Sequence, residues 1–228
     1  NGIFDYNSFY PDQIAANDSD GVDLNRNYGL NWFLGDDMYE LSLQSCPSNQ
    51  TYSSNYDYYR GVEPFSEKEI QAIRDFVRQK NFLFSIAYHS SRSGCVSERV
   101  IYPWGWTESD DDSIKVSPDY EVISEIAENI ASNIRKEGSE LTYIPKAQKS
   151  RTGNAHDWIY AETGCIQLLI EMGSSNIQPL DKDIIDDIIE QNRKGLFYFL
   201  HEAAGNGSDT RHIKGIITDF ISGEILED

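Results

Sequence analysis

Three short runs, far apart in the chain, carry side chains that together could perform a hydrolysis. The run GVDLNRNY, residues 21–28, presents Asn25 beside Arg26. An amide next to a planar cation can grip a carboxylate through paired hydrogen bonds. The run FLFSIAYHS ends on His89 and Ser90, and an imidazole there can serve a metal or carry a proton near neutral pH. The run LLIEMG delivers Glu171 at the end of an apolar stretch, a setting that raises a carboxyl pKa toward the value a general base needs.

The elements that must position these groups follow from periodicity. Ser66 with Glu69 reads as a capping box, and Ile70, Ile73 and Val77 give one apolar face to a helix that runs to about Lys80. Residues 82–88 form a near-continuous apolar run of strand length, the pattern of a strand covered on both sides, with His89 just past its end. After Pro118, helical spacing of Ile123, Ile126, Ala127, Ile130 and Ile134 continues until Gly138. Residues 166–170 form a second buried strand ending on Glu171. A long final helix runs from Asp181 to about Ala204 with Ile184, Ile185, Ile188, Ile189, Leu196 and Leu200 on its inner side. Strands alternating with helices, and polar groups at strand ends, predict an α/β sheet with a site at the strand tips.

Composition narrows the partners. The 228 residues suit one sizeable core, and 38 acidic against 19 basic residues give a formal charge of −19 that disfavours nucleic acid or an anionic membrane. No apolar run approaches the length of a membrane span, and the chain opens on Asn1 and Gly2 rather than on a signal peptide. Cys46, Cys95 and Cys165 have no metal-ligand spacing, and three cysteines cannot all pair within one chain. The stretch NDSDGVD has the alternating oxygens of a calcium loop but no Glu at its twelfth position, so a loop leading to Asn25 is the better reading. Asn17, Asn49 and Asn206 match a glycosylation pattern that also arises by chance.

Taken in order, with Asp157-Trp158 placed 14 residues before Glu171 and IYPWGW following His89, the runs resemble the zinc metallocarboxypeptidases of the carboxypeptidase A type. The resemblance implies a mixed, largely parallel central sheet flanked by helices. It implies that Asn25 and Arg26 bind the terminal carboxylate of a peptide, that His89 is a zinc ligand followed by Ser90 against the substrate, and that Glu171 is the general base. The cofactor would be one zinc ion and the partner a peptide or protein C-terminus, with action outside the cell.

The family's H-x-x-E ligand pair and its carbonyl-polarising Arg have no counterpart here. The expectation is that the N-terminal part of the catalytic domain is missing and that this chain alone holds zinc poorly. The lid position occupied in the family by Tyr falls on Lys149; Tyr143 from farther upstream, or no lid donor at all, are the other readings. His156 matches a position lining the specificity pocket. With Arg92, it predicts tolerance of acidic or polar C-terminal residues over Lys and Arg. Residues 1–205 read as the C-terminal portion of the catalytic domain. Residues 206–228 read as a linker and the first strands of a transthyretin-like β-sandwich. A zinc acylase or amidase on the same fold, and a non-catalytic peptide-binding homologue, are the alternatives. If the resemblance holds, Arg26, His89 and Glu171 should meet in one cleft, within roughly 10 Å of each other.

Overall fold

The computed structural model describes residues 22–34, 60–90, 97–108, 111–147, 153–174 and 181–205. The expectations for Lys149, Arg92, Cys46, Cys95, the three glycosylation patterns and the tail 206–228 lie outside these residues. In chain order the elements are α1 (Lys68–Arg78), β1 (Phe84–Ser90), β2 (Arg99–Tyr102), β3 (Gly105–Glu108), β4 (Asp111–Val116), α2 (Tyr120–Ser132), β5 (Ile144–Ala147), α3 (Ala155–Thr163), β6 (Ile166–Met172) and α4 (Lys182–Ala203). A short 3-10 turn, Leu24–Arg26, precedes them.

Four strands form one mixed sheet in the order β1-β6-β2-β5. β1 and β6 run parallel, β2 and β5 run parallel, and β6 meets β2 antiparallel. β3 and β4 make a separate antiparallel hairpin. This is the α/β architecture expected from the alternation of elements, with two of the three pairings in the main sheet parallel.

Because side chains alternate across a strand, the main sheet has two unlike faces. Phe84, Ile86, Ile166, Leu168, Ile170, Val100 and Tyr102 belong to one apolar cluster with Ile123, Ala127 and Ile130 of α2 and Phe199 of α4. A second, smaller cluster joins Tyr28, Ile70, Val77, Trp158, Ile159 and Cys165. Within it, Tyr28, Phe65 and Trp158 meet pairwise with ring centroids 5.1–5.9 Å apart. This aromatic group ties the turn carrying Arg26 to the approach to α1 and to α3.

Several local expectations change. His89 lies inside β1, one residue before its end and within the ladder itself, opposite Glu171. β1 is only partly buried, with Tyr88 exposed and Leu83 just before it exposed as well, because among the described residues it pairs on one side alone. The capping box of α1 does not form. Ser66 accepts from Asn27 Nδ2 (2.8 Å) and donates to Glu67, while the fully buried Asn27 accepts the Glu67 N–H at 3.1 Å. Asn27 Nδ2 also donates to the carbonyls of Arg60 and Glu63, so one amide fastens the turn to the start of α1. Ile73 is exposed, whereas Ile70 and Val77 are buried.

α2 ends at Ser132, before Gly138, and Ile134 is buried just beyond it. In α4 the inner face is shifted. Gln191, Asn192, Gly195 and Phe199 are buried, while Ile185, Ile189 and Leu200 are exposed. Gly195 explains the shift, since a Cβ there would stand 2.6 Å from Ile134 Cδ1. The helices meet at the residue with the least bulk.

Candidate active site

The site begins in the turn. Asp23 caps it by accepting the Asn25 N–H at 2.9 Å, and its backbone carbonyl accepts from Arg26 N. The Asn25 side chain reaches α3, where its Oδ1 accepts the Ala155 N–H at 2.9 Å. Arg26 Nη1 donates to Asn154 Oδ1 and to the Asn25 carbonyl, both at 2.8 Å. Backbone bonds complete the attachment, Tyr28 N to the Gly153 carbonyl and Gly153 N to the Leu30 carbonyl, both 3.1 Å. Gly153 has φ +51°, and a Cβ there would stand 2.1 Å from the Arg26 carbonyl oxygen, so only glycine permits this approach. Two motifs more than 120 residues apart are thus pinned together by main chain.

The sheet supplies a row of titratable groups. In one row across three strands, His89 of β1 stands opposite Glu171 of β6, and Glu171 stands opposite Arg99 of β2. Residues in register on neighbouring strands project from the same face. His89 Nδ1 is 3.9 Å from Glu171 Oε1, close enough to interact and too far for a direct hydrogen bond. Burial raises the Glu171 carboxyl to about 7, against the attraction of Arg26 and Arg99. Burial also lowers the His89 pKa, with Asp23 opposing and Arg26 adding to the effect. The Arg26 charge therefore acts on both groups. Ser90, at the end of β1, is exposed.

A cavity of about 410 Å³ opens beside this row, lined by Asp23, Asn25, Ile73, His89, Ile159 and Gln167 among others. Its lining does not include Arg26, His156 or Glu171. A neutral imidazole is the form that binds a metal, so His89 suits one zinc position. Among the described residues no three His, Cys, Asp or Glu side chains come together as a metal-binding group, so His89 and Glu171 do not complete a zinc site by themselves.

His156 and Asp157 are buried side by side under the turn, with His156 Nε2 3.7 Å from Asp157 Oδ1. Burial drives the His156 pKa down to about 3, helped by the positive charge of Arg26 and by His89. Burial pushes Asp157 well above the ordinary carboxylate range, against its bonds from Asn154 and from the Trp104 backbone N–H and the charge of Arg26. His156 is therefore neutral near pH 7, which corrects the expectation that it offers a positive charge to the substrate. Tyr143 is also buried. Its hydroxyl accepts from Gly173 N at 3.2 Å and Asn192 Nδ2 at 3.3 Å, so it braces the end of β6 and is not a lid donor in this arrangement.

Sequence reasoning missed Asn27, Gly153, Asn154 and Arg99. The first three sit within or beside quoted motifs, and their adjacency to Arg26 and Asp157 was the available signal. Arg99 needed the strand register, because nothing in RVIY says which face meets Glu171.

Residues 10–195 match the zinc carboxypeptidase family, and the chain belongs to it. Among individual relatives, bovine carboxypeptidase B2 is 32% identical over 150 residues, which cover 61% of this chain and 29% of that protein. Rat mast cell carboxypeptidase A is 30% identical over 146 residues, again 61% of this chain and 29% of the relative. The chain thus spans under a third of the length of these relatives. Carboxypeptidase A from Helicoverpa armigera superposes with a TM-score of 0.59 at 18% identity, covering 89% of this chain and 46% of that one. Bovine thrombin-activatable fibrinolysis inhibitor, solved in complex with tick carboxypeptidase inhibitor, gives 0.53 at 23% identity, covering 86% and 61%. At these identities the superpositions establish the shared fold.

Proposed function

We propose that the full-length protein is a zinc-dependent carboxypeptidase that removes the C-terminal residue of peptides or proteins, with Glu171 as general base and His89 as a metal ligand. The observation that carries this reading is the row His89–Glu171, 3.9 Å apart, under the positive field of Arg26. A carboxyl near pKa 7 is suited to take a proton from water and return it to the leaving amine at neutral pH. Asn25, whose Oδ1 is committed to α3, keeps its amide N–H groups for a substrate carboxylate beside Arg26, with Ser90 at the exposed end of β1 against the substrate backbone. An internal peptide bond has no such carboxylate, which restricts cleavage to the chain end. Zinc, held by His89 and ligands from outside the described residues, would supply Lewis acidity at the scissile carbonyl and at water.

The remaining assignments rest on the family resemblance. They are Lys149 as lid residue, residues 206–228 as the opening of a second domain, His156 as a neutral wall of the specificity pocket, and action outside the cell. Among the described residues no helix is long and apolar enough to cross a membrane. The test compares peptides with free and amidated C-termini. Arg26→Ala should lower kcat/KM for the free acid by about ten- to a hundredfold more than for the amide, because only the acid loses a charge-assisted pair. Equal losses on both would remove the carboxylate clamp, and no release of C-terminal residues by the zinc-loaded wild type would remove the function.

A further inference from the structure

Arg99 occupies the same row as His89 and Glu171, on the far side of Glu171 from His89. Adjacent strands lie about 4.8 Å apart, so its Cα is one strand from the base and two from the imidazole. It is partly buried, and burial lowers its pKa while the attraction of Glu171 raises it. Among the described residues its guanidinium makes no hydrogen bond or close ion pair, although its main chain is paired in the sheet. The acid next to it in sequence is turned elsewhere: Glu98, at φ +54°, accepts the Glu137 N–H at 2.7 Å and lies 3.9 Å from Lys136 Nζ. Its other neighbour in the row is Ile144 of β5, which offers no charge.

A partly desolvated guanidinium that feels the Glu171 carboxylate opposite it without a hydrogen bond or close ion pair to it is an unfinished anion site. The main-chain carboxylate of a substrate does not finish it, since Asn25 lines the cavity on the His89 side and Arg99 lies across Glu171 from there. We propose that Arg99 is a specificity-determining residue that binds an acidic side chain of the substrate next to the scissile bond, so that the protein favours peptides ending in, or carrying just before the end, Glu or Asp. This rests on the carboxypeptidase reading and adds a substrate class to it. The acidic tolerance expected from His156 and Arg92 is thereby moved to a different cation.

The test uses the full-length, zinc-loaded protein and matched peptides with Glu, Gln or Lys at the last position, and a second set varied at the penultimate position. The wild type should favour Glu over Gln in one of the two sets by about ten- to a hundredfold in kcat/KM, the worth of one charge-assisted contact. The set in which this occurs identifies the position bound. Arg99→Gln should bring that Glu-to-Gln ratio close to one, chiefly through KM, and Arg99→Glu should turn the preference toward Lys. Arg99→Lys should retain part of it. Equal loss on Glu and Gln peptides in Arg99→Gln would reduce Arg99 to a structural neighbour of the base. A wild type that cleaves but does not distinguish Glu from Gln in either set overturns the inference without any variant and leaves the carboxypeptidase reading intact, whereas a wild type that releases no C-terminal residue overturns both.

Discussion

Leu168 and Ile170 on one side of β6 are completely buried, while Gln167 and Glu171, alternating with them on the other side, are only partly covered. The same division runs through its neighbours. Phe84 and Ile86 of β1 and Val100 and Tyr102 of β2 enter the cluster with α2 and α4, whereas Ser85, His89 and Arg99 face the opposite side with Gln167 and Glu171. One face is closed by side-chain packing. The other buries Leu169 of β6 and the smaller cluster around Trp158 and Ile159, and adds hydrogen bonds and main-chain pairing, through Asn25 to Ala155, Arg26 to Asn154 and Gly153 to Tyr28 and Leu30. The apolar face holds the strands in register, and the register sets which groups meet on the polar face. The fully buried Leu168 and Ile170 and the titratable His89, Glu171 and Arg99 thereby fall on opposite faces of the same strands.

The largest separation of the two faces should come from Glu171→Gln. Removing the proposed base while keeping the side-chain shape should lower kcat of the full-length protein by about 10²–10⁴-fold. Its melting temperature should hold or rise, since a buried carboxyl becomes a neutral amide. A large drop in melting temperature together with activity would mean that Glu171 belongs to the scaffold.

Leu168→Ala probes the other side. Leu168 is 0% exposed within the main cluster, so truncation should cost about 2–5 kcal/mol of folding free energy, read by denaturant unfolding. The KM of the folded fraction for a peptide substrate should hardly move. A KM shift as large as that of Arg26→Ala would show that the faces are mechanically coupled and not divided.

The smallest effect, and the one that sharpens the contrast, concerns pH. His156 titrates near 6.5 when exposed and at about 3 when folded. The folded state therefore binds fewer protons than the unfolded one between those values. The stability contributed by this neutral imidazole is fully present above pH 6.5 and is lost as pH falls toward 3. The loss is at most ~1.4 kcal/mol per pH unit, or about 2 kcal/mol between pH 6.5 and 5. Asp157, with its raised carboxyl, works in the opposite sense above its ordinary pKa, favouring the fold toward lower pH. Arg26 and His89 act on the imidazole from the turn and from β1. In His156→Leu the acid-induced loss of stability should be smaller by about that amount, measured by thermal unfolding at pH 7 and 5. An unchanged acid loss would place the pH sensitivity elsewhere. Among the described residues the main apolar cluster holds no His, Asp or Glu, so Leu168→Ala should lower stability at both pH values alike.

The residues of the chain by themselves determined the alternation of strands and helices, because periodicity and local composition encode it. They also marked His89 and Glu171 as strand-borne groups. The tertiary structure alone decided that these two stand opposite each other, that Arg99 shares their row, and that Asn27 takes over the helix start expected of Ser66. It also moved the inner face of α4 to Gly195 and made His156 neutral. Each of these depends on register or on burial. A one-residue slip in a ladder would exchange the faces of β2, and an imidazole keeps or loses its proton according to what covers it, neither of which a linear pattern of residue types specifies.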